Sequence, residues 1–421
     1  MALYAGFQTT DITPDFEVEL IGGWWPDPKT TAVLHPLRAQ ALVLQAGGLP
    51  CCLCVIDSLG LTVQFSVDLR DRIAARLHTD RTHVMLCFTH THEAPAPLSP
   101  VGGARYLALL NERVEQCAAD AFAALRPCKA AWGLGRTRIG ENRREGCDAL
   151  DDRLAALRLT DAETGAPIGL LLRLCAHANI LMRGVDGKAV VSSDFIGEAR
   201  ELLAARFGCP VALMQGASGN VKPVGVDKIA GGTPEDVSRV ARLLLADAEA
   251  LAFTDAADER LDMTNRELTY ASDVPSAEEA ERIARDAQRE CGSHPESWLR
   301  ECERLRREGT SVQRQQGELQ FLFVAGGCLC GVPDELFCEP ALEAAKREGA
   351  PLLLLNGYTN GCTGYLAGAE EWARGGYEVL YSYLDFFPYH GHVTPFRQDT
   401  AAQIVDAACE EWRAFNRPAG A

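Results

Sequence analysis

HVMLCFTHTHE, at residues 83–93, is a short apolar run that ends in two histidines. Its continuous apolar part predicts a buried β-strand at Val84–Phe88. His90 and His92 are two residues apart at the end of this strand, so their side chains project to the same side. Such a pair can share one metal ion, or one imidazole can bind the metal while the other transfers protons. Two hydrogen-bonded histidines in a polar loop are the alternative.

Strand-like apolar runs alternate with stretches of helical periodicity along the rest of the chain. Strands are predicted at residues 40–45, 51–56, 84–88, 154–159, 169–174, 211–214, 320–324 and 352–355. Helices are predicted at residues 65–77, 106–125, 196–206, 234–251, 340–347 and 400–415. Ser193 and Thr233 are candidate helix caps, and Pro234 suits the first position of a helix. The alternation predicts an α+β or α/β fold, with mixed β-sheets flanked by helices.

The domain organisation predicted from the sequence is a single domain over residues 1–421. No linker rich in proline, glycine or serine divides the chain. One composition shift occurs at about residues 255–318, which are rich in Glu and Arg and poor in apolar residues. Residues 277–289 and 295–307 in this segment have helical composition with solvated faces. We therefore expect a charged helical excursion on one large domain.

Composition narrows the class of partner. The net charge of −17 and the lack of a basic cluster argue against nucleic acid or an anionic membrane surface. The apolar runs are too short to span a bilayer, and the first residues do not resemble a signal peptide. Many of the 16 cysteines lie inside apolar runs, where they act as small buried hydrophobes. We expect a reduced, cytoplasmic protein with a small-molecule partner, and the sequence leaves homo-oligomer formation open.

Polar residues also follow several of the other predicted strands. They are found in NR (142–143), CAHAN (175–179), PDEL (333–336), NGYTNGCTGY (356–365) and EEWARGGYE (370–378). Each pattern is weak by itself, and a lone histidine such as His177 often serves only packing. Because ligand sites cluster at the carboxyl ends of strands, we expect these segments to meet at one end of a sheet.

Taken in order, these segments resemble the catalytic domain of the neutral ceramidases and their shorter bacterial relatives. The likeness covers nearly the whole chain, through AGF (5–7), DITP (11–14), THTH (89–92), NR (142–143), SD (193–194), GASGN (216–220), PDE (333–335) and the tyrosine-rich stretch that ends at residue 365. It implies a neutral-ceramidase-like fold and a zinc-dependent hydrolase that acts on amide C–N bonds.

The resemblance also implies a role for individual residues. It implies one Zn²⁺ ion held by His90, His177, Glu335 and Tyr365. His92 and Arg143 would lie beside the ion, and Tyr377 would face the reacting carbonyl. This donor set suits zinc, which lowers the pKa of bound water to about 7. Arg143 would stabilise the oxyanion of a tetrahedral intermediate, and His92 would carry a proton to the leaving amine.

Two departures from the ceramidases change the expected substrate. Glycine stands at position 216, where the ceramidases have a serine, and the nearest hydroxyl is that of Ser218. The extra C-terminal β-sandwich and the secretion signal of full ceramidases have no counterpart in this sequence. We therefore predict an N-acyl amine smaller than ceramide, bound in an enclosed pocket by Gly216, Ser218, Asn220 and Trp24. A tight turn at residue 216 and core packing of Trp24 are the alternatives.

Other interpretations of the same residues remain open. The site could form amide bonds as an acyl transferase in a biosynthetic pathway, because hydrolysis and synthesis share a tetrahedral intermediate. A non-catalytic relative that binds metal and an amidohydrolase barrel are further alternatives. A second H-x-H, His390 and His392, lies outside the matched segments. We expect it to be a loop held by aromatic packing, with a pocket wall or a second metal site as alternatives.

Overall fold

The computed structural model describes residues 2–256 and 260–417. The β-strands are Tyr4–Asp11 (β1), Val18–Ile21 (β2), Lys29–Thr30 (β3), Arg38–Gln45 (β4), Cys51–Ile56 (β5), Val84–Phe88 (β6), Ala94–Pro95 (β7), Arg126–Arg136 (β8), Gly140–Asn142 (β9), Arg153–Asp161 (β10), Pro167–Leu174 (β11), Val211–Gln215 (β12), Val221–Pro223 (β13), Phe253–Asp255 (β14), Leu261–Asp273 (β15), Val312–Val324 (β16), Gly327–Gly331 (β17), Glu335–Leu336 (β18), Leu353–Asn356 (β19) and Tyr365–Leu366 (β20).

The helices alternate with these strands along most of the chain. The α-helices are Val63–Leu77 (α1), Gly103–Ala123 (α2), Asp194–Phe207 (α3), Pro234–Glu249 (α4), Ala277–Cys291 (α5), Glu296–Arg307 (α6), Cys338–Glu348 (α7), Ala369–Arg374 (α8), Ser382–His390 (α9) and Thr400–Asn416 (α10). A π-helical turn at Tyr377–Tyr381 leads directly into α9. Within the described ranges, no helix is both long and apolar enough to cross a bilayer.

Two mixed sheets form the centre of the molecule. The larger has the strand order β12-β11-β10-β8-β1-β4-β5-β6, with β14 also paired to β8. The smaller has the order β15-β16-β17-β19. Parallel pairing occurs between β5 and β6, between β11 and β12, and between β17 and β19. The carboxyl ends of these parallel pairs carry the candidate site residues.

The sheets pack face to face and are covered by helices, which gives four layers. Leu53 and Met85 of the larger sheet share one apolar core with Leu322 and Leu354 of the smaller. Helices α1 to α4 cover the outer face of the larger sheet, and α7 and α10 cover the smaller. Each layer buries its apolar face against the next, which confirms the predicted class of mixed sheets flanked by helices.

The two predicted helix caps differ in the structure. Thr233 Oγ1 accepts from the backbone N–H of Asp236, whose carboxylate accepts from the backbone N–H of Thr233, so the two residues form a capping box in front of Pro234. Ser193 is the N-cap residue of α3, but its side chain makes no capping hydrogen bond. The sequence therefore located both helix starts and predicted the chemistry of only one.

The prediction of a helical excursion at about residues 255–318 is only partly right. Helices α5 and α6 cover its two portions of helical composition. On either side of them, β15 pairs antiparallel with the whole of β16, from Asp273↔Val312 to Leu261↔Val324. Polar residues are frequent along β15 and the first part of β16, so these stretches lack the continuous apolar run that marks a buried strand. Residues 257–259 of the predicted segment lie outside the described residues.

Candidate metal centre and substrate pocket

Three histidines converge at the carboxyl ends of β6 and β11. His90 and His92 follow β6, and His177 follows β11. At the end of β12, Gln215 Nε2 donates to the backbone carbonyls of the residues just before His90 and His177, at 3.1 and 2.5 Å. This buried amide holds the two histidine-bearing loops together. One ring nitrogen from each of the three histidines lies within 4.8 Å of the other two.

A backbone carbonyl sets the orientation of each of these rings. The distance from Nδ1 to its carbonyl oxygen is 2.6 Å for His90, 2.8 Å for His92 and 2.8 Å for His177. A carbonyl can only accept, so each Nδ1 donates and each Nε2 keeps a free lone pair. Among the described residues, His92 Nε2 faces no hydrogen-bond partner, and the Nε2 atoms of His90 and His177 face only the Glu335 carboxylate, which has no proton to donate to them when ionised. Convergent, buried and unpartnered lone pairs of this kind are typical of metal ligands.

Glu335 brings a carboxylate to two of these histidines. Its Oε2 lies 3.1 Å from His90 Nε2 and 3.2 Å from His177 Nε2. Two ligands bonded at about 2.1 Å to a tetrahedral ion are roughly 3.4 Å apart, so this spacing fits one shared ion. Imidazole and carboxylate ligands suit zinc among the common divalent metals. The residues present therefore fit the metal that the sequence predicts.

The electrostatics of the cluster favour the protonation states that bind a metal. Burial, together with Arg143, lowers the pKa of His177 to about 4. Burial and the two neighbouring imidazoles lower the pKa of His92 well below its usual value. Burial alone would raise the pKa of Glu335, but His90 and His177 bring it well below its usual value. His92 and His177 are therefore neutral and Glu335 is ionised at neutral pH, as metal binding requires.

Arg143 and Tyr365 contact each other and lie next to the candidate metal-binding cluster, which is formed by His90, His92, His177 and Glu335. Arg143 Nη2 donates to the Tyr365 hydroxyl at 2.9 Å and to the Gly219 carbonyl at 2.6 Å. Its Nε lies 3.1 Å from Glu378 Oε1. The Tyr365 ring is stacked against the His177 ring, with 6.4 Å between centroids. Arg143 is therefore held from three sides, and its charge faces the only tyrosine in the predicted ligand set.

A pocket with a cavity volume of about 60 Å³ opens onto the cluster at His90, His92 and Glu335. Its apolar wall is formed mainly by Ile21, Leu59, Leu61, Pro97 and Phe386. Uncharged polar side chains also line it, namely Thr62, Tyr377, Ser382, Tyr389 and His390. No lysine or arginine is among the described residues that line the pocket. The described lining is therefore mostly apolar, and Glu335 supplies its one carboxylate.

Trp24 does not belong to this pocket, contrary to its predicted role in substrate binding. Its side chain is 44% exposed and lies against the Arg183 guanidinium, 5.6 Å from the ring. It is absent from the described residues that line the pocket, whereas Gly22, two residues before it in the chain, is present. The loop was identified correctly, but its aromatic side chain turns outward because Trp25 takes the inner position against the core.

Gly216 and Asn220 were also predicted to bind substrate, and both have structural contacts instead. A Cβ at position 216 would overlap the guanidinium of Arg173, so only glycine fits there. Asn220 donates to Glu339 at 3.0 Å and accepts from the backbone N–H of Cys338 at 3.0 Å, which anchors the start of α7. The missing serine at position 216 is thus explained by the arginine that fills its space.

Ser218 lies beside the metal-binding cluster but is absent from the described pocket lining. Its backbone carbonyl accepts from His177 Nδ1 at 2.8 Å. Its hydroxyl donates to the Tyr358 hydroxyl at 3.2 Å. Ser218 therefore orients a candidate metal ligand, which differs from the substrate contact that we predicted.

The sequence analysis did not identify two parts of the site, namely Glu378 and the loop at residues 59–62. Glu378 pairs with Arg143, and residues 59–62 form one wall of the pocket. The charge of Glu378 was a usable signal, because a buried arginine needs an acidic partner. The loop at residues 59–62 has an ordinary composition, so nothing in its sequence indicated that it would line the pocket. His390 lines the pocket, which we had considered the less favoured interpretation of the second H-x-H.

No protein-family model matches the chain, and no curated protein matches it by sequence. Solved structures do match. The neutral ceramidase from Pseudomonas aeruginosa has 18% identity and a TM-score of 0.74, over 100% of this chain and 76% of that one. A ceramidase described as complexed with C2 has 17% identity and a TM-score of 0.72, over 99% and 75%. The chain therefore has the neutral ceramidase fold, as its motifs predicted.

Proposed function

We propose that the protein is a metal-dependent amidase that hydrolyses the carboxamide bond of a small N-acyl amine. The observation that carries this proposal is the convergence of His90, His177 and Glu335, with Arg143 held beside them. A mere ligand-binding protein would not need a buried, fixed positive charge next to such a cluster. The neutral ceramidase fold adds support, because the two solved structures named above are ceramidases.

His90, His177 and Glu335 would hold the ion, and Tyr365 is the proposed fourth ligand. Burial raises the pKa of Tyr365 well above its usual value, and the Arg143 guanidinium, 2.9 Å from the hydroxyl, opposes this rise. The positive charge of a bound ion would act in the same direction as Arg143 and stabilise the phenolate. His92 Nε2 offers a further donor nearby. A bound zinc ion would polarise the amide carbonyl and lower the pKa of a water molecule enough to supply a nucleophile at neutral pH.

The chain's own side chains would supply the remaining steps. Burial alone would lower the pKa of Arg143, but Tyr365 and Glu378 raise it, so the guanidinium stays charged and can stabilise an oxyanion. His92 Nε2 has a free lone pair and can hold a proton until the amine leaves. Burial raises the pKa of Tyr377, so its hydroxyl stays protonated and can donate to the substrate carbonyl.

The pocket supports a substrate smaller than ceramide. The cavity of about 60 Å³ beside the cluster has room for a few water-sized groups, so it suits a short acyl chain, whereas a longer chain would extend through the open side of the pocket. Its wall of Ile21, Leu59 and Leu61 suits a short apolar acyl group. We therefore propose a short acyl chain and a compact amine as the two halves of the substrate.

A chain-length series tests this function directly. The purified protein, supplemented with Zn²⁺, is incubated with N-acyl amines from acetyl to palmitoyl and with ceramide, and products are measured by mass spectrometry. We expect cleavage that a chelator abolishes, with the highest kcat/KM at short chain lengths. Absence of cleavage throughout the series would refute the amidase, and a maximum at long-chain ceramide would refute the small substrate.

An amide-forming reaction at the same site is the second candidate function. The observation that favours it is the small, apolar pocket, since exclusion of water is what allows a site to make amide bonds. The same protein is therefore also incubated with a short carboxylic thioester and an amine. Amide formation that exceeds hydrolysis of the thioester would support this direction.

A further inference from the structure

The second H-x-H places one imidazole in the substrate pocket without any partner. His390 ends α9 and lines the same pocket as His90 and Glu335. Its side chain is only 7% exposed. Neither of its ring nitrogens makes a hydrogen bond with a described residue, and Nδ1 is completely buried. A buried polar ring with both nitrogens unpaired is rare and calls for a ligand.

His392, in the same segment, has the hydrogen-bond contacts of a structural histidine. Its Nδ1 lies 2.6 Å from the Thr394 carbonyl oxygen, and its Nε2 lies 3.0 Å from that of Thr363. Both nitrogens of His392 thus face protein acceptors, and the residue is absent from the described pocket lining. His390, two residues earlier, has the opposite arrangement. Local sequence and burial are matched, so the difference lies in what each ring faces.

Packing does not explain an imidazole at position 390. The ring contacts Tyr383 edge to face at 5.0 Å between centroids and Phe386 at 6.3 Å. A phenyl ring would make the same contacts without two polar atoms taken out of water, so packing alone favours phenylalanine. The accessible Nε2 of His390 therefore has room for a partner that comes from outside the chain.

The helix that carries His390 is held firmly from behind. Trp298 of α6 donates from Nε1 to the Val393 carbonyl at 2.7 Å. Ser293 Oγ donates to Asp385 Oδ2 at 2.9 Å. The charged segment of α5 and α6 thus supports α9 and the residues just after it. His390 is therefore presented to the pocket in a fixed position, as a recognition residue must be.

The chemistry of the ring defines the group that it would recognise. Burial, together with His392, lowers the pKa of His390 to about 3, so the ring is neutral at pH 7. A neutral imidazole offers one donor and one acceptor. The described lining residues include no lysine or arginine that would attract a carboxylate. Because Nδ1 is fully buried, Nε2 is the ring atom that a ligand can reach, so the complementary ligand group is an uncharged one that exchanges a single hydrogen bond with it.

We propose that His390 is a specificity-determining residue that hydrogen-bonds a second polar group of the substrate, a hydroxyl or a carboxamide, apart from the reacting amide. This assignment takes one point from the proposed function, which is that the pocket binds an amide. It predicts that the pocket prefers an amide with such a group over the same amide with an apolar group of similar size in its place.

Matched pairs of small amides test this preference by binding, independently of turnover. The first pair is N-(2-hydroxyethyl)acetamide and N-propylacetamide, which places the hydroxyl on the amine side. The second is N-ethylglycolamide and N-ethylpropionamide, which places it on the acyl side. N-acetylglycinamide and N-isobutylacetamide form the carboxamide pair. Dissociation constants are measured by ligand-observed NMR on the full chain supplemented with Zn²⁺, and hydrolysis is followed in parallel.

We expect the wild type to bind the polar member of at least one pair about 10-fold more tightly, the size of one to two neutral hydrogen bonds. In His390→Phe the preference should fall to about 2-fold or less, and His390→Gln, which keeps a donor and an acceptor, should restore part of it. His294→Phe, a change at an exposed histidine, should leave the preference unchanged.

Two results would overturn the assignment. One is a wild type that binds both members of every pair equally, which needs no variant. The other is a folded His390→Phe protein that keeps the full preference. If binding shows the preference but no amide is hydrolysed, the proposed amidase fails while the role of His390 stands. If amides are hydrolysed but no pair shows a preference, the proposed amidase stands and the role of His390 fails.

Discussion

The two H-x-H pairs share a spacing and differ in every contact that matters. His90 and His92 follow a strand, each donates from Nδ1 to a backbone carbonyl, and each directs a free Nε2 toward His177 or Glu335. The other pair stands at the end of a helix, where His392 faces two carbonyls and His390 faces none. The same residue pattern therefore contributes to a candidate metal-binding cluster in one place, and to a structural contact and the proposed recognition residue in the other. What separates them is whether the polar atoms of each ring are satisfied by the protein.

Buried charged residues can also be compared by whether the protein satisfies their polar atoms. Asp151 is fully paired, since it accepts from Arg153 Nε at 2.7 Å and lies 2.7 Å from Arg173 Nη2. Arg173 also donates to Leu355 at 2.9 Å, which ties β11 of the larger sheet to β19 of the smaller. All the partners of Asp151 are protein atoms, and we assign it to structure. The Nε2 atoms of the candidate metal-binding cluster are equally buried, but no described residue donates a hydrogen bond to them.

Removal of a candidate ligand should have the largest effect. His177→Ala takes one imidazole from the cluster, so we expect loss of bound zinc and of all amidase activity. His390→Phe should keep its zinc, because His390 lies outside the cluster. Metal content is measured by plasma mass spectrometry after dialysis. A His177→Ala protein that retains one zinc per chain would contradict the separation between the two histidine pairs.

Disruption of the paired charge should have the next largest effect, on stability. Asp151→Asn leaves Arg173 buried without its partner, and we expect a loss of about 3–5 kcal/mol in the free energy of unfolding. Asp152→Asn, next to it and paired with the exposed Arg136, should cost about 0.5 kcal/mol or less. Urea denaturation at pH 7 measures both. Equal losses in the two variants would refute the structural role of the buried pair.

The contribution of Asp151 to the free energy of unfolding should also depend on pH. Burial alone would raise the pKa of Asp151, but Arg173 and Arg153 bring it below its usual value in the folded protein. A carboxyl with a lowered folded-state pKa stabilises the fold above its unfolded pKa of about 3.9, and the contribution is lost as the pH falls through the folded value. The difference in unfolding free energy between the wild type and Asp151→Asn should thus stay constant above about pH 5 and shrink below about pH 4. Urea titrations over this range check it.

A smaller effect, confined to catalysis, is expected at Arg143. Arg143→Ala should keep zinc but lower kcat about 100–1000-fold, because a fixed oxyanion donor is lost. Arg143→Lys keeps the charge but cannot donate to both Tyr365 and Gly219 with the same geometry, so we expect an intermediate rate. Steady-state kinetics and metal analysis measure the two effects separately. Near-normal kcat in Arg143→Ala would remove it from the mechanism.

The smallest expected effect concerns the helix caps. Thr233→Ala removes a capping side chain and should cost about 1 kcal/mol of unfolding free energy. Ser193→Ala removes a hydroxyl that makes no capping bond and should cost less than half as much. Urea denaturation of both variants checks this order. The reverse order would mean that satisfied partners do not determine the contribution of a polar side chain in this protein.

Sequence alone predicted the strands that are continuously apolar and the residues that follow them. Cys51–Ile56 and Val84–Phe88 were predicted to the residue, because burial on both faces leaves an unbroken apolar run. Leu261–Asp273 was missed, since its alternating polar residues gave no such run. The convergence of His90 with His177 was expected from their places at strand ends.

The direction of individual side chains was beyond the sequence. Nothing local in the chain indicates that Trp24 turns outward while Trp25 packs against the core. The space at residue 216 is taken by Arg173, which is distant in sequence and reaches it only through the pairing of β11 with β12. Contacts of this kind are set by tertiary packing, which composition and periodicity do not encode.

Anomalous scattering from a crystal grown with Zn²⁺, recorded on both sides of the zinc absorption edge, tests the central claim most directly. We predict one zinc peak per chain, about 2.0–2.2 Å from His90 Nε2, His177 Nε2 and a carboxylate oxygen of Glu335, and no zinc at His390 or His392. A cluster without a zinc peak, or a peak at the second histidine pair instead, would contradict it.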